Sequence, residues 1–223
     1  MAGLNESTQE RGYAVHREPA ERKTTYKTIT AGSVLEAIGG IGVVALAIVG
    51  LGGVVPRYMA PIASIAFGVA LAAAAAAIAA RFLQLARSDG VIQKAEVGGG
   101  AGAELVGGMA GGILGILALV GMVPTILISV AAIVFGAAVL LGSATESRIS
   151  SLAADSGERI MSEALVGSAG AEVLVGIGAI ALGITALTGT APMTLNLIAM
   201  LTLGAGATIQ GSSVGAAMIS VFG

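Results

Sequence analysis

A glutamate recurs at one fixed interval inside otherwise apolar sequence, at Glu36, Glu104 and Glu172, each 68 residues from the next. Pro56, Pro124 and Pro192 keep the same 68-residue step, as do Gly53, Gly121 and Gly189, then Gly68, Gly136 and Gly204. Leu46, Leu114 and Leu182 fall between them in register, and so do Ala63, Ala131 and Ala199. A period of this length is the mark of a tandem array of one supersecondary unit, here present three times. Any fold for this chain must therefore be one that a single unit can adopt three times over.

The unit belongs in a membrane. Of the 223 residues 56% are hydrophobic and only 11% are charged, too few to clothe the exterior of a soluble domain of this size. Each unit holds two long apolar runs separated by its proline, and the six runs lie at about 33–55, 59–82, 101–122, 125–145, 169–190 and 193–216. Each is near or above the ~20 residues with which a helix crosses ~30 Å of hydrocarbon. Runs such as LAAAAAAIAA lack the apolar-polar alternation of a barrel strand, and backbone in lipid must satisfy its own hydrogen bonds, so helices follow. The expected fold is an all-α integral membrane protein of six transmembrane helices, built as three tandem helical hairpins around a pseudo-threefold axis. The hairpins span 29–96, 97–164 and 165–223, after a polar tail over 1–28. Pro56, Pro124 and Pro192 sit where a residue without an N–H suits a turn leading into a helix.

Ten of the eleven basic residues fall on the side of the N-terminus, five of them in the tail and the others at Arg81, Arg87, Lys94, Arg148 and Arg159, leaving Arg57 alone opposite. The positive-inside rule then puts both termini in the cytoplasm, and the bacterial inner membrane is the expected location. No short apolar segment with a cleavage site follows a basic start, so a cleaved signal peptide is not expected. The linkers near 83–98 and 146–166 keep apolar residues at helical spacing, and read either as cytoplasmic extensions of the helices or as short interfacial ones. The LARSDG and LAADSGE segments carry turn chemistry that breaks the chain there.

The tail interleaves its basic residues with Glu18 and Glu21, which makes it a mixed-charge segment expected to be disordered, a site for a cytoplasmic partner and not for nucleic acid. His16, the single histidine, lies there and reads as solvated. There is no cysteine, and no Ser/His/Asp set, phosphate loop or metal-ligand cluster, so neither an enzyme nor a cofactor is expected.

From each Glu, steps of 4, 7, 11 and 14 residues along the first helix of the unit stay on one face. They meet Gly40 in the first unit, Gly108, Gly111 and Gly115 in the second, and Gly176 and Gly183 in the third. Small-residue stripes of this kind let membrane helices approach closely, either within one chain or between copies of it. They direct the three Glu side chains away from lipid. Two readings of those carboxylates follow. As anchors near a helix start, they answer the partial positive charge of the first-turn amides at the cytoplasmic boundary. As a ring of inward carboxylates, they bind a cation or a proton at the mouth of a small pathway.

In the last span, Asn196, Thr202, Thr208 and Gln210 read as hydrogen-bonding partners for a neighbouring helix. A Gly-rich helix, a short turn with Pro56 and Arg57 and a second apolar helix resemble the hairpin of rotary ATPase proteolipid subunits. In that family the ion-binding carboxylate lies on the helix after the turn, whereas here it precedes the turn, which separates this chain from rotary ion carriage. The expected function is an oligomeric ion or proton pathway with Glu36, Glu104 and Glu172 at one end. The alternative is a non-catalytic scaffold or accessory subunit of a larger membrane assembly.

Overall fold

The computed structural model describes residues 34–89, 94–155 and 159–222, with side chains over 34–77, 100–143 and 170–212. The tail over 1–28, with His16, lies outside the described residues. Six helices follow one another: α1 (Val34–Leu51), α2 (Pro56–Asp89), α3 (Lys94–Leu119), α4 (Pro124–Asp155), α5 (Arg159–Leu187) and α6 (Pro192–Phe222). All six are long and apolar enough to cross a membrane. Glycine in a helix interior costs about 1 kcal/mol in water, yet Gly-rich α3 is continuous, as expected where lipid offers the backbone no other hydrogen-bond partner.

The turns within the three helix pairs explain where helices stop and start. Gly53, Gly121 and Gly189 have φ of 87°, 98° and 88°, the left-handed conformation that glycine adopts without a Cβ penalty. In the first turn Gly53 N–H donates to Gly50 O at 3.0 Å and Val54 N–H to Val49 O at 3.2 Å, a Schellman closure of α1. The second turn repeats the pattern with Gly121 to Ala118 O and Met122 to Leu117 O. The residue before each proline, Val55, Val123 or Ala191, also has positive φ, 40°, 40° and 38°. Proline excludes the right-handed helical region for its predecessor. The Val55 carbonyl nevertheless accepts the first bonds of α2, from Tyr58 and Met59. Each proline is thus the first residue of its helix, where a missing N–H leaves nothing unsatisfied.

At their other ends the helices follow one of the two readings of the linkers. α2 and α4 continue into the charged linkers as far as Asp89 and Asp155. LARSDG is helical up to Asp89 and LAADSGE up to Asp155, and their remaining residues, 90 and 156–158, lie outside the described residues.

The even helices hold the centre and the odd helices flank them. α2, α4 and α6 touch one another, and each odd helix bridges two of them. α3 lies against α2 through Gly108 and against α4 through Gly107 and Gly111. α1 lies against α2 through Gly39 and against α6 through Gly40, so the first helix meets the last and closes the ring. At the centre Phe67 and Phe135 pack edge to face with centroids 4.9 Å apart and planes at 78°. Ala63, Ala131 and Ala199 are fully buried in the same core, which Leu203 and Met200 complete from α6. The outward faces carry Ile38, Ile41, Val106, Ile113, Leu174 and Ile177, all exposed. Apolar exposure on this scale fits a lipid surround.

Candidate functional site

The small-residue stripes set the distance at which the carboxylates are held. A Cβ at Gly108 would stand 2.8 Å from Ala72 N and 2.9 Å from Gly68 O. One at Gly40 would stand 2.6 Å from Gly204 O, and one at Gly176 would stand 2.8 Å from Gly136 O. Gly115 lies against Ser64 and Ile65, Gly183 against Ile133 and Ser129 O, and Gly111 against the ring of Phe135. At these positions backbone meets backbone or a packed core side chain within a single chain. Helices this close leave no room for solvent along the stripes, and the Glu residues at their ends are enclosed in turn.

Glu36, Glu104 and Glu172 are 9%, 7% and 3% exposed. Both carboxylate oxygens of Glu172 are shielded from solvent. Fifteen residues separate each Glu from the last residue of its helix, Leu51, Leu119 or Leu187. The three therefore share one depth, about 22 Å from the turns at 1.5 Å per residue.

Two of the three stand well beyond the first turn of their helices. α3 starts at Lys94 and α5 at Arg159, so Glu104 and Glu172 lie ten and thirteen residues into their helices. That is about 15 Å and 20 Å from the helix starts, whereas the dipole acts within the first turn. The apolar spans begin at Gly100 and Gly170, close to the sequence expectation, and the helices extend before them into the linkers.

A cleft is lined by Glu36, Glu172 and Gln210 together with apolar Phe67, Leu71 and Leu203. Glu104 does not line this cleft; its carboxylate lies against Gly142 of α4. Among the described residues no three of His, Cys, Asp and Glu stand in metal-holding geometry.

The other polar side chains of the spans divide between roles. Asn196 Nδ2 donates to Thr125 O of α4 at 3.1 Å. Ser129 Oγ lies 3.0 Å from Asn196 Oδ1 and 2.8 Å from Thr125 O, with one proton to share between them. Ser64 Oγ joins α2 to Gly111 O of α3 at 3.1 Å. Thr202 and Thr208, expected to bond to a neighbouring helix, donate instead to Ile198 O and Gly204 O of their own helix, at 2.9 and 2.8 Å. A threonine in a helix reaches its own i−4 carbonyl more readily than another helix.

Sequence reasoning missed Gly142. The available signal was that Ala74, Gly142 and Gln210 occupy one 68-residue column and differ, while the carboxylates they follow do not. Comparison of the chain with protein families, curated proteins and solved structures finds no match.

Proposed function

We propose that this protein provides a small cation or proton pathway, in which carboxylates at one end of a six-helix membrane bundle take up the ion. The observation that carries the reading is three buried carboxylates at one distance from the turns, two of them beyond the reach of a helix dipole. An ionised carboxylate inside a span costs about 2.5–3.5 kcal/mol even on lenient scales, so a buried one without an anchoring role is by default a functional group. The bundle is read as three tandem 68-residue hairpins about a pseudo-threefold axis. The closing contact of α1 with α6 and the matching turn geometry at Gly53, Gly121 and Gly189 support this. Basic asymmetry supports cytoplasmic termini and a plasma membrane of the bacterial inner-membrane type. Because the small-residue seams are occupied within one chain, a homo-oligomer or larger assembly would form through the large apolar faces of α1, α3 and α5.

A second reading has its own observation. One face of α2 from Ala60 to Leu71 is buried together with its α4 and α6 neighbours, about 16 Å of mostly apolar core. That favours a non-catalytic scaffold or accessory subunit, with the tail free to recruit a cytoplasmic partner. Ion-selective flux in proteoliposomes separates the two, using wild type and the triple variant Glu36→Gln, Glu104→Gln, Glu172→Gln. The pathway reading expects wild-type flux that the triple variant loses while still assembling. Equal flux in both, or none in wild type under several cation gradients, would leave the scaffold.

A further inference from the structure

We infer that the three carboxylates are not equivalent, and that Gly142 is the positioning residue that sets Glu104 apart. The inference rests on the carboxylate reading above but is tested apart from it. A Cβ at position 142 would overlap Glu104 Oε1 and stand 2.7 Å from its Cδ. The carboxylate of α3 thus occupies the space that a side chain on α4 would fill. At the same register the other two units carry Ala74 and Gln210, so the glycine seat belongs to Glu104 alone. Glu36 and Glu172 share the cleft with Gln210, whose amide brings both a donor and an acceptor. Gly142 holds Glu104 as a packed carboxylate, and ion exchange falls to the Glu36 and Glu172 cleft.

The obstruction falls on the far end of a flexible side chain and not on backbone, so Gly142→Ala displaces the Glu104 carboxylate and leaves the helices where they are. Glu104→Asp shortens the side chain by one methylene, which makes room for the added methyl. The probe is dicyclohexylcarbodiimide, an apolar reagent for membrane carboxyl groups, with labelling at each glutamate read by peptide mass spectrometry on the full chain. In Gly142→Ala, labelling at Glu104 rises severalfold while Glu36 and Glu172 keep their wild-type levels. Adding Glu104→Asp brings labelling at position 104 back toward wild type. Unchanged labelling at Glu104 in a folded Gly142→Ala, or an equal rise at all three sites, overturns the positioning role. Flux supplies the second arm: Glu172→Gln loses it, whereas Gly142→Ala, which lies outside the cleft, keeps most of it. Loss in Gly142→Ala as complete as in Glu172→Gln overturns the non-equivalence. An absence of flux in wild type defeats the pathway itself, and the labelling arm still decides the role of Gly142.

Discussion

Replacing Gly68 with alanine should separate α2 from α3, and the size of the effect can be worked from the contact. The new Cβ would stand 2.6 Å from Gly108 O and 2.8 Å from both N and Cα of Gly112. All three are backbone atoms, so no rotamer change relieves the overlap, and the helices must part by roughly 1 Å to restore ordinary contact. A gap of that size forfeits a quarter to a half of each dispersion contact along the seam. Overpacking costs about 1–3 kcal/mol in general, and a clash with backbone belongs in the upper half of that range. Gly42→Ala is the matched control, because nothing stands within 4 Å of a Cβ there, and its cost should lie between zero and a gain of about 1 kcal/mol from helix propensity. The two variants should then differ by about 2 kcal/mol or more, roughly thirtyfold in the folding equilibrium. Reversible unfolding in mixed micelles titrated with a denaturing detergent, followed by circular dichroism, reads this difference directly. Coincident curves for Gly68→Ala and Gly42→Ala would refute the reasoning, because they would mean that the α2–α3 seam is loose.

Two further outcomes test other levels of the structure. Arg57→Cys introduces the only thiol in the chain, and it should react with an impermeant reagent from the non-cytoplasmic side alone; labelling only from the cytoplasm would invert the topology. Asn196→Leu removes the polar crossing from α6 to Thr125 and Ser129, at a cost of about 0.6–1.7 kcal/mol by the same unfolding assay, the range seen for hydrogen bonds between membrane helices. A stability equal to wild type would show that the crossing sets no more than local side-chain order.

The six membrane helices, and where they turn, were already determined by the sequence. Lipid accepts only self-satisfied backbone, so a long apolar run is a helix whatever its neighbours do. Gly53, Val55 and Pro56 act through their own φ angles and missing groups, which are local properties. Helical periodicity likewise put the Glu residues on the small-residue face without reference to any other helix. It could not tell which helix each face would meet. α3 spends Gly107 and Gly111 on α4 but Gly108 and Gly115 on α2, a division set by the angles at which three helices pack. Only the tertiary structure brought Phe67 against Phe135 at the centre, paired Glu104 with Gly142, and put Glu36 and Glu172 on one cleft. Those juxtapositions join residues tens of positions or more apart. Close packing in three dimensions decides them, because a side chain fits only where the opposite helix leaves room.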